Sequence, residues 1–213
     1  MKRKLCRAIL LLIFISGYSA TVRAQSPAPP GPKPTPFAVV PVDDSSAPAG
    51  WRRYNIGTQP VLSVLLPAPP DANAEPAGSG AGTATHMYLA NSSNATYGVA
   101  RIAGLTINME QAAEPTRQEF FNGFMKGFAR GFEQGPKNTN ASPTVILADS
   151  RKVTAATREG FEQDLTSGSL KGRAQMIFVG PNAIALIAIW TDDASRVDRD
   201  AFFKSVRVTV NPE

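Results

Sequence analysis

The stretch REGFEQDLTSGSLKGRAQMIFVGPNAIALIAIW, residues 158–190, decides the fold. It spans three runs of strand-forming residues, 157–165, 170–179 and 183–190, divided by short breaks at Thr166–Ser169 and at Gly180, Pro181 and Asn182. Breaks this short join antiparallel neighbours, because a parallel pair requires a crossover of a dozen residues or more. With Thr166–Ser169 as the turn, Leu165 is expected opposite Leu170, Asp164 opposite Lys171 and Glu162 opposite Arg173. Opposite charges then share one solvated face, while Phe161, Leu165, Leu170 and Ala174 share the other, so the charges read as cross-strand pairs rather than as a catalytic couple. The third run, AIALIAIW, carries no charge and reads as a central strand covered on both faces.

Working outward, further strands are expected at 51–55, 60–66, 86–91, 96–105, 144–153 and 205–210. The stretch EPTRQEFFNGFMKGFARGFEQGP breaks this pattern with helical periodicity. Thr116 and Glu119 suggest a capping box, and Gly135 before Pro136 suggests a stop, so a helix is predicted over about 117–134. At about 100° per residue, Phe120, Phe121, Phe124, Phe128 and Phe132 fall on one face with Met125, and Glu119, Asn122, Lys126, Arg130 and Glu133 on the other. Gly123, Gly127 and Gly131 form a second row along one edge of the aromatic face. Each interior glycine costs about 1 kcal/mol relative to alanine, so the row calls for close packing on the sheet or for contact with a partner. A short helix is expected over about 196–204, capped by Ser195 and anchored by Phe202 and Phe203, before the closing strand SVRVTV. The fold class is therefore α+β, a mainly antiparallel sheet with one long amphipathic helix and a short C-terminal one.

WRRYNIGTQPVLSVLLPAPP at 51–70, the long helix, the REGFEQDL to GRAQMIF hairpin and the closing AFFKSVRV together resemble the PsbP-like fold. That fold, an antiparallel sheet flanked by helices, is shared by extrinsic proteins of photosystem II and a Ran-binding nuclear factor, and the chain is most similar to exported bacterial members. The resemblance covers roughly residues 51–210 and implies an accessory or binding domain. It supplies no catalytic residue, and no position here matches a manganese or calcium ligand motif of the family.

The first 24 residues, MKRKLCRAILLLIFISGYSATVRA, read as an export signal: a basic start, an apolar core and small residues before Gln25. The apolar core falls short of the roughly 20 residues a spanning helix requires, so no stable membrane span is expected. Cys6 precedes that core, which argues against a lipid anchor. The chain has a formal net charge of +5, but Lys2, Arg3, Lys4, Arg7 and Arg23 all lie in the leader, which holds no acid. The mature chain is therefore neutral, and nucleic acid is not an expected partner. The single cysteine also leaves with the leader, so no disulfide or thiolate site is expected, a composition more ordinary in a bacterial envelope. Residues 25–50 carry prolines at 27, 29, 30, 32, 34, 36, 41 and 48 and read as a proline-rich, disordered linker. Residues 51–213 read as one domain, with a mobile low-complexity loop at 67–85.

Chemical motifs are scarce. His86 is the only histidine, which leaves no multi-histidine metal site, and no G-x-S-x-G serine motif occurs. GSGAG at 78–82 lacks the Lys-Ser/Thr of a phosphate loop. Asp192, Asp193, Asp198 and Asp200 lack calcium-loop spacing and read as caps and solvating groups for the short helix. No cofactor is expected. The resulting expectation is an exported, non-enzymatic binding or accessory domain of a bacterial envelope, periplasmic or extracellular, acting on an unknown protein or envelope component. Gly123, Gly127 and Gly131 are its candidate contact residues. The alternatives are a hydrolase-type enzyme built from carboxylates and His86, or a self-associating structural protein. N-terminal sequencing of the protein recovered from its native host is expected to begin at or next to Gln25; a start at Met1 overturns the export reading.

Overall fold

The computed structural model describes residues 38–57, 60–74, 84–133, 144–191 and 196–210. The leader, the linker up to residue 37, the loop segment 75–83, the expected helix stop at Gly135 and Pro136, and Asp192, Asp193 and Ser195 lie outside the described residues. The fold is α+β, with two antiparallel sheets. The smaller comprises β1 (Val39–Val42), β2 (Arg52–Ile56), β3 (Val61–Leu66) and β12 (Arg207–Thr209), in the order β1-β2-β3-β12. The larger comprises β4 (Asp71–Ala74), β5 (Ala84–Asn91), β6 (Ala95–Ala103), β7 (Ile146–Leu147), β8 (Arg151–Ala155), β9 (Arg158–Ser167), β10 (Leu170–Val179) and β11 (Asn182–Trp190). Its order is β4-β5-β6-β11-β10-β9-β7, with β8 also paired to β9. The helices are α1 (Glu114–Glu133) and α2 (Arg196–Lys204).

The uncharged strand β11 lies in the middle of the large sheet, between β6 and β10, and is buried on both faces. Ala183, Ala185, Ile187 and Ile189 join one core, with Phe121, Phe124, Met125, Phe128 and Phe132 of α1. Ile184, Leu186, Ala188 and Trp190 join a second, with Tyr54, Leu62, Val64 and Leu66 of the small sheet and Phe202 and Phe203 of α2. The molecule is thus a stack in which the large sheet separates two cores, and the period-2 alternation of side chains decides which core each residue enters. The ring face expected of the long helix is the face that packs on the sheet: Phe121 stacks on Phe161 with centroids 5.9 Å apart, and Phe120 meets Phe178 edge-on at 6.2 Å.

The 158–190 hairpins form, with a corrected register. Leu170 pairs with Ser167, not with Leu165, and Asp164 pairs with Arg173, Glu162 with Gln175 and Lys171 with Thr166. The turn has two residues, Gly168 and Ser169, rather than four. Gly168 has φ +58°, the left-handed value that a Gly-X hairpin turn places first, and this tight turn moves the register by two. A shift of two preserves the faces, so the charges remain together although their partners change. The strand expected at 144–153 is two pieces, β7 and β8, which pair with opposite ends of β9 across a break at 148–150.

Three other boundaries differ from expectation, the first being the mobile loop expected at 67–85, within which Asp71–Ala74 forms β4 against β5, a strand that itself starts at Ala84. The long helix begins at Glu114, and the Arg117 amide donates to the Ala113 carbonyl at 3.1 Å, so Thr116 lies inside the first turn and heads no capping box. Pro115 explains the earlier start, since a residue without N–H loses nothing in a first turn. The linker reading of 25–50 fails at its C-terminal end, because β1 pairs with β2 and Asp44 joins an ion pair with buried Arg53 at 2.6 Å. Arg53 also donates to the Ser205 carbonyl at 2.8 Å, and the Ser205 hydroxyl accepts from the Leu65 amide at 2.9 Å. One guanidinium therefore ties the start of the small sheet to the chain's closing turn. β1 is an edge strand, and the bond from the Gly57 amide to the Ala38 carbonyl sets the alternation that points the Pro41 nitrogen outward. Proline offers no N–H there, which blunts the edge against a further strand.

The β8–β9 hairpin turns on Ala156 and Thr157, with φ 50° and 63°. Left-handed backbone disfavours alanine and, more strongly, β-branched threonine. Thr157→Gly is expected to stabilise the protein by about 1 kcal/mol, raising Tm by roughly 2–4 °C, readable by calorimetry.

Candidate functional site

The glycine row on α1 divides on folding. Gly131 is buried, Gly123 and Gly127 are half-buried, and a Cβ built on Gly127 meets nothing within 4 Å beyond its own helix backbone. Gly160 in β9 is the contrasting case, since a Cβ there would lie 2.1 Å from the Met176 carbonyl oxygen. Close backbone approach thus explains Gly160 and leaves Gly127 without a packing reason. Pro115, Gln118, Glu119, Asn122, Gly123 and Lys126 line a shallow depression of about 370 Å³ along the same helix.

His86 begins neither an exposed strand nor a cleft. It lies on β5 opposite Arg101 of β6, on the face that carries the second core, and both residues are buried. Burial, and secondarily the neighbouring Arg101 charge, hold its pKa below the ordinary value, so the imidazole is neutral at pH 7. Neither cleft described here is lined by His86. Among the described residues no group of three or more His, Cys, Asp or Glu is placed to hold a metal ion.

The hairpin charges form a ladder across β8, β9 and β10. Arg173 meets Asp164 at 2.7 Å and Glu162 at 3.8 Å, and Arg151 pairs with both acids. Gln175 donates to Glu162, whose carboxylate is almost fully buried beneath these partners. Burial opposes ionisation of Asp164, but hydrogen bonds from Arg173 and Arg151 outweigh it and hold its carboxyl below the usual range. The solvated face expected for these charges is therefore a half-covered one, with the Arg173 guanidinium 6.0 Å from the Phe203 ring of α2. Two acids balanced by two arginines are a structural network rather than an acid–base pair.

On the opposite face of the same edge, the first turn of α1 stands over the β8–β9 hairpin and leaves a cleft of about 250 Å³. Glu114 and Arg117 of the helix face Lys152 and Glu159 of the hairpin, over a floor that includes Phe161 and the Val153 and Gly160 backbone. Glu114 pairs with Lys152 at 2.5 Å and Arg117 with Glu159 at 3.1 Å. The Arg117 side chain is largely buried, and among the described residues its Nε has no hydrogen-bond acceptor. A buried donor without an acceptor costs roughly 1–3 kcal/mol. The sequence gives no sign of this cleft, because helix and hairpin are joined only by folding. Arg117 and Glu159 lie 42 residues apart.

No protein-family model matches the chain, and no curated protein matches it in sequence. Among the described residues no helix is long and apolar enough to cross a membrane.

His86 gives a pH signature. Because its pKa is lower folded than unfolded, its contribution is complete above the ordinary value of 6.5 and is lost progressively as pH falls below that value through the lower folded one. Urea midpoints of the wild type are expected to fall between pH 7.5 and 5.5 by more than those of His86→Gln, which lacks that titration; equal falls would exclude it.

Proposed function

We propose that the protein is an exported, non-enzymatic accessory domain of a bacterial envelope that acts by contact with another protein through the outer edge of α1. The observation that carries this reading is the open space at Gly127. A helix of 20 residues retains a poor helix former at a site where the domain has no steric use for it. A second backbone approaching that edge would give the missing side chain a purpose, as small residues do wherever helices meet closely. The depression along the polar face of the same helix reaches the glycine row at Gly123, one turn before Gly127. The resemblance to PsbP-like proteins supports the same class of role, and the helix laid across a broad antiparallel sheet accords with it.

The reading separates stability from function. Gly127→Ala is expected to stabilise the isolated domain by about 1 kcal/mol, measured by denaturant unfolding, because the added methyl meets open space and alanine favours the helix. Gly127→Leu is expected to remain folded and monodisperse and to lose the partner that the 25–213 form captures from the native envelope. Retention of that partner by a folded Gly127→Leu protein overturns the proposal. If Gly127→Ala destabilises the domain, the glycine serves internal packing and the surface reading fails as well.

A further inference from the structure

We infer that the cleft between the first turn of α1 and the β8–β9 hairpin binds a small oxyanion, carboxylate or phosphate, which Arg117 grips side-on through Nε and Nη2. Nε and Nη2 form one fork of the guanidinium, suited to the two oxygens of an oxyanion. Glu159 fills half of that fork: it accepts from Nη2 at 3.1 Å, while Nε donates to no acceptor among the described residues. The two partners are unlike in burial. The Arg117 side chain is 14% exposed and that of Glu159 is 79% exposed. A carboxylate so exposed is a weakly held occupant, since exposed ion pairs gain little over solvation. It can leave at low cost when a ligand oxygen reaches both nitrogens.

Lys152 stands on the facing wall with a carboxylate partner of its own. The Glu114 and Lys152 side chains are both substantially exposed, at 43% and 67%. Two cations thus converge on one cleft, each held by a carboxylate from the opposite wall, and those carboxylates occupy the places that an oxyanion would take. The floor limits what else enters. Phe161 is apolar, and about 250 Å³ admits a small molecule or the end of a chain. A carboxylate on a short apolar stem meets both requirements, and free phosphate meets the first. This site is separate from the Gly127 edge and stands without the contact proposed there.

The test is a titration of the 25–213 protein, followed by the 15N-resolved Arg117 Nε–H signal. The probes are N-acetylleucine, its neutral amide N-acetylleucinamide, and inorganic phosphate. N-Acetylleucine is expected to shift the Nε–H signal with saturation at about millimolar concentration, and the amide to leave it in place. A response to phosphate alone also supports the site and assigns its ligand as the free anion. Glu159→Gln, which retains Arg117, is expected to tighten anion binding about threefold or more by removing the internal competitor. Arg117→Lys is expected to weaken it at least tenfold while the circular dichroism spectrum stays unchanged. Three results overturn the proposal: no shift with either anion, an equal shift with the amide, or unchanged anion affinity in Glu159→Gln. The last remains decisive if Arg117→Lys does not fold.

Discussion

Everything in the molecule is arranged around the burial of one strand on both sides. β11 offers no charged side chain to water on either face, so two separate layers must cover it. The aromatic face of α1 supplies one layer, and the small sheet with α2 supplies the other. Because side chains alternate along a strand, successive residues of β11 contribute to different cores, and a register slip by one would exchange those cores. This constraint places β11 between β6 and β10 rather than at an edge, and it forces the chain's late segments back onto its early ones.

Polar chemistry is pushed to the margins by the same arrangement. The β8–β9 edge lies beyond the most complete cover, and its charges are on both faces. On one face, Glu162 and Asp164 are neutralised by Arg151 and Arg173. On the other, Arg117 and Lys152 are held by carboxylates exposed enough to exchange. The contrast is one of enclosure. Glu162 is a buried acid fixed by several partners, whereas Glu159 is an exposed acid on a largely buried base, and only the second pair leaves room for a ligand to compete. The β8–β9 turn that carries this edge holds Ala156 and Thr157 in left-handed backbone, a conformation the surrounding pairing maintains.

Much of this was legible from residues 114–136 and 158–190. The ring face of the long helix follows from its 3.6-residue period, and the central place of AIALIAIW follows from its lack of charge. The hairpin charges were legible as one face but not as pairs. The Gly168–Ser169 dipeptide carries the signal for a two-residue turn, and reading it as part of a four-residue break displaced each partner by two. β1 was hidden by its composition. Pro41 in a proline-rich run reads as tether, yet at an edge strand its missing N–H is tolerated because that nitrogen faces away from β2. The glycine row was visible, but its division into buried Gly131 and open Gly127 depends on what lies nearby.

The sequence by itself determined the type and the buried face of the long helix and of the strands over 158–190, because periodicity and composition are local properties. Tertiary structure alone decided that β6 pairs with β11, that β12 closes on β3, and that Arg53 joins Asp44 to the Ser205 carbonyl. It alone brought Arg117 against Glu159 and Glu114 against Lys152. Such contacts join residues far apart in the chain, and their selection rests on burying the greatest apolar area at the least cost in unsatisfied polar groups, a sum taken over the whole fold.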